Sequence, residues 1–253
     1  MTIDQLDQWL REFLDLGRFE AIDASLNGLQ VARRTAEVRR VAFAVDASLE
    51  SFRRAAEWGA DMLLVHHGIL WIPPQRISGP LFARVRFLVE KDLALYGVHL
   101  PLDAHPEVGN NVGIAGLLGL RDIEPFGAYK GVKIGVKGFL AEPASLEEVV
   151  SRLTARQGER VRTFPFGPPE IRSVGIVSGG APMDVAQATA EGLDLFVTGE
   201  PAHMIYHHCL ESRIHAIFAG HYHSESFGVG LLAARVAREH GLEVSYVDVP
   251  TGL

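Results

Sequence analysis

Histidines at positions 66, 67, 99 and 221 each follow the end of an apolar run that reads as a strand. In open α/β sheets ligands bind outside the carboxyl ends of the strands, so separate strands aim these imidazoles at the same kind of edge. Adjacent side chains on a regular strand point to opposite faces. One ion would therefore hardly take both His66 and His67, whereas two ions side by side could take one each, with Gly68 letting the backbone turn. The competing reading packs one ring in the core and leaves the other in solvent.

His99 and Asp103 lie in Gly97-Val98-His99-Leu100-Pro101-Leu102-Asp103. Pro101 breaks the strand, which lets Asp103 swing back toward the strand end. A carboxylate can bridge two cations because its oxygens offer lone pairs to different ions. Alternatively, Asp103 caps the loop before Glu107. In Gly220-His221-Tyr222-His223-Ser224-Glu225, Ser224 reads as a helix cap, with His221 and Glu225 flanking the helix start. Glu225 is either a ligand or a carboxylate favoured there by the helix dipole alone. His223 is a candidate third ligand whose competing and favoured reading is solvent-facing. Asp46, at the end of the first strand, is placed to orient a ligand histidine.

This set of His66, His67, Asp103, His221 and Glu225, with His99 near it, is imidazole and carboxylate without a thiolate cluster. It suits two divalent ions drawn from zinc, iron, manganese, cobalt and nickel, and argues against a structural cysteine-zinc site. Two ions ~3.5–4 Å apart fit a hydrolytic pair that shares a water. A second constellation runs from Val197 to His208. Glu200 ends a strand, and His203 and His207 are four apart on a predicted helix. Met204 stands where a metalloprotease helix needs glutamate, which removes the protease reading. Glu200 and His203 are candidates for moving protons near the metals. The alternative is a helix N-terminal carboxylate and a surface histidine. The amides of Ser178-Gly179-Gly180-Ala181 are candidates for a phosphate, though the dinucleotide fingerprint and the P-loop lysine are both absent. Asn27 and Gln30 are polar groups in a loop with no evident duty.

The elements that must position these residues alternate. Thr2 and Gln5 form a capping box before a helix whose Ile3, Leu6, Leu10, Phe13 and Leu14 share a face. Strands are predicted over 38–45, 61–65, 93–98, 132–140, 161–166, 171–177, 193–198, 214–219 and 243–249, with helices between them. Residues 23–31 read as a loop. Gly127–Gly131 is the best joint, giving an N-terminal lobe over 1–128 and a C-terminal lobe over 129–253. This is the α/β pattern of sheets covered by helices, and it shows no sequence repeat that proves duplication.

Composition sets the outer limits. The 253 residues are 47% hydrophobic and 22% charged, enough for a core of normal size. The net charge of −7 argues against bulk nucleic-acid binding, but not against a nucleotide substrate. No apolar run reaches membrane-spanning length, and the start lacks the basic region of a signal peptide. The single Cys209 fits a reducing compartment, so a cytoplasmic location is expected.

Asn27-Gly28-Leu29-Gln30-Val31, Val65-His66-His67-Gly68, His99-Leu100-Pro101-Leu102-Asp103, Thr198-Gly199-Glu200 and Gly220-His221-Tyr222 through Glu225 occur in this order. Together they resemble the NIF-three-like family, also known as GTP cyclohydrolase I type 2 homologues or dinuclear metal centre hexameric proteins. The resemblance covers nearly the whole chain. It implies two three-layer α/β/α lobes with mixed sheets, a dinuclear metal site in the cleft between them, and a toroidal homohexamer. It carries the family's ligands onto His66, His67, Asp103, His221 and Glu225, with His99 nearby. Ser224 stands where threonine is common, which keeps a hydroxyl. The stretch between Phe126 and Lys133 leaves no room for the inserted domain of some members. The expected function is a metal-dependent hydrolase acting on a nucleotide or related small molecule, with GTP cyclohydrolase chemistry as the lead. The alternatives are a phosphoesterase, a non-enzymatic metal-handling or regulatory assembly, and a scaffold whose metals only stabilise the fold.

Overall fold

The computed structural model describes residues 1–157 and 161–253. In chain order the elements begin with α1 (Ile3–Phe13), β1 (Gly28–Val31), β2 (Arg40–Asp46), α2 (Leu49–Trp58), β3 (Met62–His67), α3 (Gly79–Glu90), β4 (Ala94–Gly97) and α4 (Leu100–Ala104). There follow α5 (Asn110–Leu118), β5 (Leu120–Tyr129), β6 (Val132–Ala144), α6 (Leu146–Gln157), β7 (Arg162–Pro165), β8 (Ile171–Ile176) and α7 (Val185–Ala190). The chain then forms β9 (Leu195–Thr198), α8 (Tyr206–Ser212), β10 (His215–Phe218), α9 (His221–His240) and β11 (Glu243–Tyr246). Two compact units result, one of residues 1–108 with 228–249 and one of 109–227 with 250–253.

In the first unit, α1 opens with the capping box read from the sequence. The Gln5 amide N–H donates to Thr2 Oγ1 at 3.3 Å, and the Thr2 N–H donates to Gln5 Oε1 at 2.9 Å. The sheet has the order β1-β4-β3-β2-β11. Strands β4, β3, β2 and β11 run parallel, and β1 is antiparallel to β4. Val41 to Val45 and Met62 to Val65 are fully buried, which is why they read as unbroken apolar runs. Strand β1 lies where a loop was expected. Its four residues show no clear alternation, and pairing of Gly28 with Gly97 and Leu29 with Tyr96 holds it extended.

The second unit carries a mixed sheet of order β5-β6-β8-β9-β10-β7. Strands β8, β9 and β10 are parallel, and the others pair antiparallel. Strand β5 escaped prediction because it is an edge strand, mostly exposed and interrupted by Pro125. Gly127–Gly131 leads into the β5–β6 turn, where Lys130 and Gly131 have φ of 46° and 86°, the left-handed pair that suits a tight hairpin.

One device fixes strand starts in both units. Asp61, just before β3, accepts the N–H groups of Arg39 and Arg40 at 2.8 and 2.9 Å. Asp194, just before β9, accepts those of Arg172 and Ser173, both at 2.9 Å. Each carboxylate thereby sets the register of a neighbouring strand and the edge at which it ends. The α/β class with mixed sheets, expected from the sequence, is the fold the chain adopts. Among the described residues no helix is long and apolar enough to cross a membrane.

Candidate metal centre

In the first unit, β3 ends on His66-His67. The two rings are adjacent, with centroids 4.7 Å apart. Each is held by a different neighbouring strand. His66 Nδ1 lies 3.0 Å from the carbonyl of Val98, just past β4, and His67 Nδ1 lies 2.8 Å from Asp46 Oδ1 at the end of β2. Both acceptors can only accept, so each ring carries its proton on Nδ1 and presents Nε2 as its lone-pair nitrogen. Opposite lateral tethers thus let two consecutive strand residues serve one place.

His99 follows the same rule through residues the sequence left without a duty. Its Nδ1 lies 2.8 Å from Asp23 Oδ1, and its backbone N–H donates to Asn27 Oδ1 at 2.8 Å. Asp23 Oδ2 accepts the Leu100 N–H at 3.0 Å and the Asn27 side-chain N–H at 2.8 Å. Asp23 is therefore a remote cap for α4. Burial pushes its carboxyl up, but the His99 ring and the other donors outweigh that and hold it below the ordinary carboxylate range. Ligand atoms of His66, His67 and His99 all lie within 4.8 Å of one another. On α4, buried Asp103 brings Oδ2 to 3.6 Å from His66 Nε2.

Gln30 shapes the turn that follows. Its Oε1 accepts the N–H groups of Ile69 and Leu70 at 2.8 and 3.2 Å, and its Nε2 donates to the Leu26 carbonyl at 2.8 Å. A Cβ on Gly68 would sit 2.3 Å from Gln30 Nε2, and one on Gly97 2.7 Å from it. A side chain at either position would have to displace the Gln30 amide from these hydrogen bonds.

In the second unit, Gly220, at φ 85°, turns β10 into α9. The helix begins at His221, earlier than the Ser224 start read from the sequence. His221 and Glu225 are consequently one turn apart on one face, with Nε2 and Oε2 3.1 Å apart. Ser224 is no N-cap. Its hydroxyl accepts the Gly179 N–H at 2.9 Å and donates to the His221 carbonyl at 3.0 Å. His221 Nδ1 lies 2.6 Å from Glu200 Oε1, so this ring too is tethered by an acceptor. Between the two carboxylates, Glu225 foremost and Glu200 second, His221 is raised to about 9 despite its burial. A metal ion binding there must displace a proton.

The glycine loop backs this part of the site. A Cβ on Gly179 would lie 2.1 Å from Glu225 Oε1. The amides of Ser178, Gly179 and Ala181 donate to Asn111, Ser224 and Thr198 side chains. Three of the four amides considered from the sequence for a phosphate are thus committed to side chains. Glu200 also lines a cavity of about 420 Å³ with Arg162, Pro201, Gly220 and Leu253. His203 stands exposed on a short 3-10 turn, and no hydrogen bond or ion pair joins it to Glu200, His221 or Glu225 among the described residues. His207 packs its ring against Tyr206, and His208 meets Thr189.

A donor set of tethered imidazoles and buried carboxylates fits a divalent ion, and these groups could hold one. Sequence reasoning missed Asp23, whose signal was its place four residues before Asn27 in a polar loop. It left Glu200 between two roles.

A profile of the Duf34/NIF3 family (NGG1p interacting factor 3) matches residues 1–251. The chain belongs to the Duf34/NIF3 family. A family relative from Deinococcus radiodurans, named GTP cyclohydrolase 1 type 2 homolog, is 47% identical over 250 residues, covering 99% of this chain and 94% of its own. Among solved structures, a protein from Thermus thermophilus is 39% identical with a TM-score of 0.89, covering 100% of both chains. The structural-genomics protein ybgI, of unknown function, is 32% identical with a TM-score of 0.93 and covers 100% of both chains. The sequence motifs thus identified the family correctly.

Proposed function

We propose that this Duf34/NIF3 chain is a metal-dependent hydrolase holding two divalent ions, with His66, His67 and Asp103 supplying one part of the ligand set and His221 and Glu225 the other. His99 stands beside the first part. The observation that carries this reading is the shared tethering of the histidines. All four Nδ1 atoms are held by acceptors, from the Val98 carbonyl, Asp46, Asp23 and Glu200. Buried histidines elsewhere in the chain also find acceptors, but through Nε2, as His105 does on the Phe13 carbonyl and His215 on the Pro168 carbonyl. The repeated use of Nδ1 leaves Nε2 presented, which fixes tautomer and ring orientation as a ligand needs. When bound, such a pair supplies Lewis acidity and acidifies a water.

The chain's own residues have distinct duties in this reading. Asp46, Asp23 and the Val98 carbonyl keep three Nε2 atoms presented. Glu200 holds a proton at His221 Nδ1 and lines the cavity beside it, which supports it as the residue that passes protons to a molecule there. His203, exposed nearby in sequence, is the alternative. The relatives' name supports a purine nucleotide, GTP, as the first substrate to try. The assembly proposed is a homohexamer, in line with the family resemblance.

The decisive experiment is metal analysis of protein purified without added metal, followed by a substrate screen on the same sample. GTP turnover would yield formate and a fluorescent pterin precursor. Absence of turnover on GTP and on phosphate esters with zinc, iron, manganese, cobalt and nickel would overturn the hydrolase reading. Ready release of metal to an acceptor in that case would favour metal handling.

A further inference from the structure

We propose that a cleft beside the His66, His67 and His99 cluster binds the phosphate groups of a nucleotide. This inference rests on the metal-site reading only in taking the bound nucleotide to be a substrate. The cleft has a volume of about 410 Å³ and is lined by Gly68, Trp71, Gln75, Arg76, Ser78 and Arg84, together with apolar residues of the same loop and helix. That volume falls in the ordinary range of small-molecule sites.

The lining charge is all of one sign. It contains two guanidiniums and no carboxylate. Neither Arg76 nor Arg84 makes an ion pair or a hydrogen bond among the described residues, in a chain of net charge −7 where other arginines, among them Arg11, Arg33 and Arg54, pair with acids. The contrast is sharpest within α3. Arg86 pairs with Glu90 one turn on, at 2.6 Å, whereas the corresponding neighbour of Arg84 is Leu88. Arg84 thus lies on the side of the helix that carries buried Leu81 and Leu88, half-buried and facing the cleft. Half-burial of an unpaired cation costs free energy unless an anion completes it. Guanidinium groups recognise phosphate oxygens two at a time.

Two further features agree. The N-terminal end of α3 contributes Ser78, Pro80 and Leu81 to the lining, and Ser78 makes no side-chain cap bond. The positive end of that helix adds to the field of the two arginines. Trp71 joins the cleft to the histidines. Its Nε1 donates to the Gly68 carbonyl at 2.9 Å, and its ring centroid lies 5.1 Å from that of His99 and 6.3 Å from that of His67. A phosphate chain held by Arg76 and Arg84 would lie next to that aromatic wall, with the rest of the molecule free to reach the imidazoles. The cavity beside Glu200 lacks this character, since it sets a carboxylate against Arg162.

The test is equilibrium titration of the full chain with GTP, inorganic triphosphate and guanosine, with and without bound metal, read by calorimetry. GTP and triphosphate should bind and guanosine should bind far more weakly. Replacing Arg84→Gln or Arg76→Gln should weaken GTP binding by about tenfold or more, the usual effect of losing one charged hydrogen-bonding partner. Arg86→Gln, on the same helix and outside the lining, should bind as the parent does. Equal affinity for GTP and guanosine, or unchanged GTP affinity in both cleft variants, would overturn the proposal. Failure of each idea is separable. Arginine-dependent GTP binding without turnover under any metal sinks the hydrolase reading alone. GTP turnover with an unchanged Kd and KM in both Arg76→Gln and Arg84→Gln sinks the cleft alone.

Discussion

At the scale of single residues, the site is governed by what sits behind each imidazole. Asp46 bonds Nδ1 of His67, and it thereby leaves Nε2 as the nitrogen that a metal would meet. Asp46→Asn should therefore weaken metal binding by about 10–100-fold, measured by competition with a chromogenic chelator, with little change in the melting of the metal-free chain. An unchanged affinity would assign Asp46 a purely structural place. Gln30 acts on backbone rather than on a ring, and its close approach disfavours a side chain at position 68. Gly68→Ala should cost roughly 1–3 kcal/mol in urea unfolding, because the Gln30 amide must be displaced from the Ile69 and Leu70 N–H groups. Pairing it with Gln30→Ala should relieve the clash but not restore stability, since those N–H groups then lose their acceptor.

At the scale of elements, the two sheets use the same carboxylate device to align strands whose ends carry the candidate site residues. Asp61 shows its energetic side. Burial pushes its carboxyl up, but the Arg39 and Arg40 N–H groups and the Arg33 guanidinium outweigh that and hold it below its ordinary 3.8. A carboxyl with a depressed folded-state pKa contributes stability above its unfolded pKa and loses it as pH falls through the folded value. Asp61→Asn should accordingly be less stable than the parent by about 1–2 kcal/mol at neutral pH. The gap should close well below pH 3.8, where the parent's own carboxyl is protonated. Chemical unfolding at the two pH values checks this, and a constant gap would contradict it. The element boundaries legible in sequence were the buried ones. Strands β2, β3, β9 and β10 are buried along nearly their whole length around apolar runs, while β1 and β5 exist because a partner strand holds them.

At the scale of the whole molecule, the proposed metal and the proposed assembly would act as ligands of the folded state. Removal of metal by a chelator should lower the melting temperature and leave secondary structure in place, because binding only to the folded state stabilises it by mass action. The core beneath the histidines is already closed, with Val65, Val98 and Leu102 fully buried around them. A scanning calorimetry trace that is identical before and after chelation would argue against a resident ion. The proposed homohexamer of 27.6 kDa chains should sediment at about 166 kDa. A monomeric mass would set that assembly aside.

Much of this site was written in the order of residues along the chain. Apolar runs ending in His66-His67, His99 and His221 announce strand ends followed by histidines, because burial on both faces leaves a plain hydrophobic signature that stops where the run stops. The motif set also fixed the family. Only the tertiary structure decided which polar residue stands behind which ring, that Asp23 serves His99 across 76 positions of sequence, and that α9 starts at His221 and so pairs it with Glu225. Hydrogen bonds between distant residues leave no local periodicity, and helix starts depend on which backbone groups find partners after the chain has folded.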